Sequence, residues 1–128
     1  MLYAFLCYND EAAVSAWTQA EDDAVMERLG EAHAPLVQAG RFGPTARLMP
    51  TTAATTLRKN VDPPIVIDGP YAETKEQLLG FYVIECADLE AALEVARSLA
   101  KANPGGAYEV RPVRYFNPGV LPERTTVG

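Results

Sequence analysis

Two segments of this chain are apolar on both faces that a β-strand presents, and this pattern constrains the fold more than any other feature. Residues 2–8 and residues 79–86 carry mainly apolar side chains at odd and at even positions alike. An antiparallel strand with one face in water alternates between apolar and polar residues instead. Strands that are apolar on both faces lie in the middle of a sheet and are covered on both sides. The fold must therefore cover both faces of a central pair of strands.

Capping signals mark two long helices. A capping box that begins at Thr18 predicts a helix over residues 19–39, and Asp88 caps a second helix further along the chain. Pro35 falls inside the first of these helices and removes a backbone donor there. We therefore expect a kink or a break near Ala34.

Shorter β-rich segments complete the pattern. Two of them flank residues 60–63 and predict a hairpin that sets Thr55 opposite Asp68. The spacing from Thr74 to Gln77 fits another capping box, which predicts a single helical turn before the second apolar strand. The other predicted strands are residues 42–48, 54–59, 64–68 and 108–115.

The order of these elements is strand, helix, strand, hairpin, strand, helix, strand. This order predicts an α+β fold, a ferredoxin-like split βαβ sandwich with an antiparallel sheet and an extra β-hairpin. Both helices pack on one face of the sheet, and a bare apolar sheet face is rare on a monomer. We therefore expect a homodimer through the sheet face, with residues 1–115 as a single domain and residues 116–128 as a C-terminal tail.

Charge and composition exclude several classes of partner. A net charge of -6 argues against nucleic-acid binding, because phosphate backbones attract clustered basic residues. The apolar run at the start is too short for a signal peptide with its cleavage site or for a membrane span. Two cysteines and one histidine suggest neither a disulfide framework nor a zinc site. We expect a cytoplasmic protein that has no cofactor and binds small molecules or proteins.

Several short motifs carry a resemblance to a known family. Residues 68–77 read DGPYAETKEQ, residues 80–82 read GFY and residues 110–113 read VRPV. With ATTLR at residues 54–58, they closely resemble the DGPF-type branch of the YCII-related family, and Tyr71 replaces the branch's phenylalanine. The resemblance implies a dimeric α+β barrel of ferredoxin-like subunits. Members of this family often lie genetically beside extracytoplasmic-function sigma factors.

The resemblance also implies a pair of catalytic residues, since a histidine–aspartate pair has been proposed as the active site of the wider family. His33 keeps the family's spacing to Gly40 and Gly43-Pro44, and we match Asp68 to the aspartate. As a pair they would exchange protons near neutral pH. Each also has a simpler interpretation: Asp68 as a turn residue that accepts backbone N–H groups, and His33 as a core histidine.

Six further side chains are candidates for ligand binding. Arg58 and Arg111 would bind an anion with a bidentate fork, or would form surface ion pairs. Glu73 and Lys75 would line a pocket, or would belong to a solvated turn. A metal site built from His33, Asp68 and Glu73 would need more ligands than the sequence offers, so we predict no metal. The six candidates are Thr55, Arg58, Tyr71, Glu73, Lys75 and Arg111.

Two functions follow from these residues. The first is a dimer with a small-ligand or catalytic site that uses an Asp/His acid–base pair. The alternative is a non-catalytic dimeric module that acts with a protein partner in transcription regulation. A pocket lined by both Asp68 and His33 would favour the first function. An exposed apolar patch away from any pocket would favour the second.

Overall fold

Six strands and three α-helices lie within residues 1–122, the part of the chain that the computed structural model describes. A short 3-10 helix, Thr51–Ala53, precedes the third strand. The elements in chain order are β1 (Leu2–Asn9), α1 (Glu11–Ser15), α2 (Gln19–Gln38), β2 (Phe42–Arg47), β3 (Thr55–Arg58), β4 (Ile65–Asp68), β5 (Gln77–Glu85), α3 (Leu89–Ala102) and β6 (Ala107–Pro112).

The main sheet has four strands in the order β2-β5-β1-β6, and all of its neighbours are antiparallel. The two strands that are apolar on both faces are therefore the central pair, as the sequence predicts. Phe5 of β1 lies opposite Tyr82 of β5 and opposite Val110 of β6. This topology confirms the predicted ferredoxin-like α+β fold.

One face of the sheet packs against α2 and α3 and forms the core. Phe5 and Ile84 on the strands are fully buried there, together with Leu99 of α3. We call this the helix face. The opposite face, which we call the rear face, carries Leu2, Ala4, Leu6 and Phe81. These side chains are partly exposed and lie outside the core cluster.

The predicted hairpin forms a separate two-stranded sheet of β3 and β4. Thr55 lies opposite Asp68, which confirms the predicted register. Almost all of its residues are exposed, although several are large and apolar. We define the hairpin patch as the exposed side chains of Leu57, Ile65, Val66 and Ile67.

The predicted helical turn at Thr74 does not form, so that prediction is wrong. The Thr74 hydroxyl donates to the Glu76 carbonyl at 2.6 Å, and the Gln77 side-chain amide donates to the Thr74 carbonyl at 2.7 Å. These local bonds hold the backbone in a bent segment, and Gln77 already belongs to β5. Polar side chains that fit a capping box also stabilise turns in this way.

The sequence predicts a kink or a break near Ala34, and of these the break is wrong, because helix α2 is continuous from Gln19 to Gln38. Pro35 removes one backbone donor, and the helical hydrogen bonds continue beyond it. The carbonyl of Pro35 still accepts from the Ala39 N–H at 3.1 Å.

Helix α1 was not predicted from the sequence. Asp10 caps its start, and the Asp10 carboxylate accepts a hydrogen bond from the Ala12 N–H at 3.0 Å. Of the predicted tail, residues 116–122 have no regular secondary structure, and residues 123–128 lie outside the described residues. Within residues 1–122, every helix is too short or too polar to cross a bilayer.

Candidate functional site

A cavity of about 350 Å³ is lined by strands of the main sheet, by α1 and α2, and by the segment that follows α3. Its volume is at the lower end of the range for small-molecule sites, roughly 300 to 1,000 Å³. Much of the lining is apolar, with Trp17, Val25 and Leu29 from the helical side. Polar side chains reach the same space from several elements.

Helix α2 carries His33 into this cavity. The Thr18 capping box fixes the start of the helix. Leu29 and Leu36 are buried, so the side of the helix that carries them and His33 faces the sheet. The imidazole packs against Phe42, with 4.6 Å between ring centroids, and against Tyr82. The tertiary fold therefore fixes the position of this ring.

The surroundings of His33 keep its imidazole neutral and leave one nitrogen without a partner. Burial lowers the pKa of His33 below its usual value of 6.5. Its Nε2 atom is buried and has no hydrogen-bond partner among residues 1–122. An unpaired buried polar atom costs about 1–3 kcal/mol, so native proteins contain few of them.

Asn103, which also lines the cavity, carries a second unpaired atom. This residue ends α3, and its backbone N–H donates to the Leu99 carbonyl at 3.0 Å. Its side-chain Oδ1 is buried and, within the described part of the chain, accepts no hydrogen bond. His33 and Asn103 both line the cavity. The two unpaired atoms are themselves buried within the wall that these residues form.

Three other polar groups of the cavity are held in their neutral forms. Burial raises the pKa of the Cys7 thiol to about 12. Burial, and then the nearby Cys7, raise the pKa of Tyr82 to about 12. The pKa of Tyr108 is raised as well, mainly by burial. All three side chains are protonated at neutral pH, so they offer hydrogen bonds without charge.

Arg47 is the one formally charged side chain that lines the cavity within residues 1–122. Its guanidinium donates two hydrogen bonds to the Asp22 carboxylate of α2, at 2.6 and 3.2 Å. This ion pair uses two guanidinium N–H groups of Arg47 that would otherwise bind an anionic ligand. The cavity thus has no unpaired positive charge from the described residues.

The predicted catalytic residues lie in different parts of the fold. His33 lines the cavity, whereas Asp68 ends β4 in the exposed hairpin, opposite Thr55. Asp68 is not among the cavity-lining residues, and no hydrogen bond joins it to His33 within residues 1–122. Their action as a pair stays a prediction.

The six predicted ligand-binding residues lie outside this cavity, at least among the residues described. Thr55 is in β3, and the Arg58 guanidinium lies over the Tyr71 ring, 4.9 Å from its centroid. Glu73 and Lys75 are in the exposed segment before β5. Arg111, on the edge strand β6, lies 3.7 Å from the Glu109 carboxylate. Their role in binding a ligand also stays a prediction.

The DGPY motif has a clear local role at the base of the hairpin. Gly69 has a φ of +113°, a conformation that favours glycine. Its N–H donates to the Ala54 carbonyl, and its carbonyl accepts from the Thr56 hydroxyl, both at 2.8 Å. The motif therefore closes the open end of the hairpin.

Several cavity residues were missed from the sequence. Asn103 looked only like a helix terminator, and Tyr82, Tyr108 and Cys7 looked like ordinary strand residues. The register offers one signal: Cys7 lies opposite Tyr108 and Phe5 lies opposite Tyr82, which sets all four side chains on the helix face. Polar atoms at core-facing strand positions thus mark the site.

Comparisons with known proteins agree with the fold. The family model described as the YCII-related domain matches residues 1–117. An uncharacterised protein of Rhizobium meliloti is 58% identical over 123 residues, which are 95% of this chain and 99% of that protein.

A solved structure shares the architecture at low sequence identity. It is the 5-chloro-2-hydroxyhydroquinone dehydrochlorinase TftG from Burkholderia phenoliruptrix, in complex with 2,5-dihydroxybenzoquinone. The TM-score is 0.53 at 13% identity, and the match covers 91% of this chain and 96% of that one. At this identity the likeness shows a shared fold.

Proposed function

The chain belongs to the YCII-related domain family, and we propose that it binds a small organic molecule in the cavity between the main sheet and α1 and α2. The observation that carries the proposal is the cavity itself, which is mostly apolar and into which α2 carries the only histidine of the chain. The Nε2 atom of this histidine is buried and has no hydrogen-bond partner among the described residues, so a small movement of the ring would let a bound molecule supply one.

His33 would also be the group that moves a proton in a reaction. A neutral imidazole accepts a proton at one nitrogen while the other keeps its own, which suits general acid–base catalysis near neutral pH. The lowered pKa keeps this neutral form available. TftG, which has the same fold, is a dehydrochlorinase that was solved with a small ring compound bound. That likeness supports a small-molecule role and leaves the reaction of this chain unassigned.

Asp68 remains our candidate for the acidic partner of His33, and the DGPY motif supports placing the chain in the DGPF-type branch. The Asp68 carboxylate would have to come within hydrogen-bond reach of His33, or within reach of one bridging water. The hairpin of a second copy offers one route, because β3 and β4 form a sheet apart from the main one. Asp68 would then act between subunits.

We propose a homodimer formed through the rear face of the main sheet and the hairpin patch. The rear face carries partly exposed apolar side chains on the central strands. Val66 and Ile65 in the hairpin patch are 66% and 51% exposed. Contiguous exposed apolar surface marks interaction sites on soluble proteins. A second copy would cover both surfaces about a two-fold axis.

The hairpin patch also favours a second candidate function, binding to a different protein such as a regulator of transcription. The patch lies outside the cavity-lining residues, as such a role requires. The oligomeric state distinguishes self-association through the patch from binding of a different protein. A stable homodimer in which the patch is protected from solvent supports self-association. A monomer with an accessible patch supports a protein partner.

Amide chemical shifts of the isotope-labelled protein during titration with a library of small neutral molecules test the cavity site. We expect shifts at cavity-lining residues such as Thr45 and Ala46. The His33→Phe variant should lose these responses because the larger ring occupies the space and removes the nitrogen. Arg97→Gln, on the exposed side of α3 and outside the cavity lining, is the control and should keep them. A library that shifts no cavity residue would overturn the proposal.

A further inference from the structure

A second cavity, of about 320 Å³, lies beside the cavity described above, which we now call the first cavity. Val14 of α1, Arg47 of β2 and Leu79 of β5 line both cavities. These three side chains therefore form a wall that the two cavities share. Helix α1 also carries Ser15 to the second cavity. The two spaces are thus adjacent compartments beside one short helix.

The lining of the second cavity is mainly aliphatic. Leu48, Met49 and Pro50, which follow β2, line it together with the shared Val14 and Leu79. Among residues 1–122, no aromatic side chain contributes to this lining. Methionine is unbranched and flexible, so Met49 can adapt to an irregular aliphatic shape. The second cavity therefore offers dispersion contacts to an alkyl group and no ring for stacking.

The charged side chains of the second cavity that come from the described residues already have partners. Arg47 donates to the Asp22 carboxylate. Glu11 accepts hydrogen bonds from the backbone N–H of Thr51, at 2.9 Å, and from the Thr51 hydroxyl. A carboxylate or an ammonium group of a ligand would therefore lose its hydration without gaining a partner, which is costly. A neutral ligand avoids this cost.

The shared wall consists of side chains that are only partly covered. The side chain of Arg47 is 53% exposed, and Val14 and Leu79 are half-buried. Exposed side chains change rotamer within picoseconds to nanoseconds, so this wall can open by side-chain movement alone. An alkyl chain is narrower than a ring and needs a smaller displacement of these side chains. The wall thus favours passage of a chain from one cavity to the other.

We infer that the two cavities form one elongated site for a neutral molecule with an unbranched alkyl chain, which crosses the shared wall into the second cavity. This inference rests on the proposed function, since it extends the same site and names its ligand class. The polar end of the molecule lies in the first cavity, because the uncharged polar side chains of Tyr82 and Tyr108 line it. The length of the chain then determines the affinity.

A series of primary alcohols tests the ligand class on the wild-type protein. Affinities for 1-hexanol, 1-octanol and 1-decanol are measured by calorimetry and by the fluorescence of Trp17, the single tryptophan of the chain, which lines the first cavity. Each added methylene that becomes buried should raise the affinity about threefold to fourfold. Octanoate, which carries a charge, should bind about tenfold more weakly than 1-octanol or worse. The methyl signal of Met49 should move with 1-decanol but not with 1-hexanol, whereas those of Val25, in the first cavity, should move with both.

Substitution of Ser15 tests the second cavity alone. Ser15 lines the second cavity but not the first, so the ring of Ser15→Phe should fill part of that space. The variant should lose about tenfold in affinity for 1-decanol and should bind 1-hexanol like the wild type. Ala13→Phe, at an exposed position of the same helix that lines neither cavity, is the matched control and should bind both alcohols like the wild type. The wild-type series needs no variant, so it stands even where Ser15→Phe fails to fold.

The outcomes separate this inference from the proposed function. If the affinity does not rise with chain length, or if octanoate binds as tightly as 1-octanol, the ligand class is wrong. The first cavity still stands as a site when the Val25 signals move in those experiments, or when other small molecules shift its residues. Equal loss of 1-hexanol and 1-decanol in Ser15→Phe would show that the second cavity does not hold the end of the chain. If neither the alcohols nor the neutral library shift a residue of the first cavity, both proposals fail.

Discussion

The imidazole of His33 meets the ring of Tyr82 edge to face, with 5.0 Å between ring centroids and 67° between ring planes. Tyr82 lies on the central strand β5, and His33 lies on the helix that covers it. The contact thus joins the two layers of the sandwich at the wall of the cavity. The packing also buries the imidazole, and this burial lowers its pKa.

Stability should fall as the pH drops through the titration of His33. Burial lowers its folded-state pKa below the usual value of 6.5, so the unfolded chain binds the proton more tightly. Stability is therefore full above about pH 6.5 and is lost as the pH falls toward the folded-state value. Urea unfolding at about pH 7.5 and about pH 5.5 should show this loss, and His33→Leu should reduce it. An unchanged loss in the variant would contradict the assignment to His33.

Charge on the hairpin patch should break the homodimer. Val66→Lys puts an ammonium group in a surface that we propose is buried between two copies, and an unpaired buried charge is costly. Sedimentation should show a dimer for the wild type and a monomer for the variant. Val37→Lys, at a valine of α2 that is 58% exposed, is the matched control and should remain dimeric. A monomeric wild type at working concentration would overturn the proposed dimer itself.

Loss of the Glu11 carboxylate should loosen α1 over the cavity. Glu11 accepts hydrogen bonds from the backbone N–H of Thr51, at 2.9 Å, and from the Thr51 hydroxyl. Its own N–H donates to the Gln77 side chain at 3.0 Å. In Glu11→Ala, the amides of α1 should exchange with solvent about tenfold faster, since local opening costs less. Ser15→Ala, at the other end of α1, is the control, and equal exchange in both variants would show that Glu11 does not hold the helix.

Two glycines should respond in opposite directions to alanine. Gly69 has a φ of +113°, so Gly69→Ala should destabilise the protein by about 1–2 kcal/mol. Gly30 lies inside α2, and an added Cβ there meets nothing within 4 Å. Gly30→Ala should stabilise the protein by about 0.5–1 kcal/mol. Urea unfolding measures both changes. A Gly69→Ala protein as stable as the wild type would mean that the hairpin base tolerates side chains.

The fold was predictable because its signals are local. Two strands with apolar residues on both faces identified the sheet centre. The Thr18 capping box predicted the first residue of α2 correctly. The same type of signal failed at Thr74, where residues with the spacing of a capping box form a turn instead of a helix. Spacing alone does not show which backbone group a side chain will bond, because tertiary packing decides that.

The candidate site was harder to predict because it forms only in the folded chain. Asn103 and His33 are 70 residues apart in sequence and line one cavity. The DGPY motif drew attention to Asp68. The residue of the motif with a clear structural role is Gly69, which has a positive φ. His33 was found because it keeps the spacing of the histidine that the family resemblance implies. The tyrosines of the cavity gave no comparable signal, since aromatic residues are common in buried strands.

The hairpin of β3 and β4 completes its ladder within itself and joins the main sheet only through its flanking segments. Substitutions on such a ribbon leave the sandwich beneath it undisturbed. The surface that we propose joins two copies can therefore be changed by substitution without loss of the chamber under the helices. Assembly and ligand binding would then be separable properties of this chain.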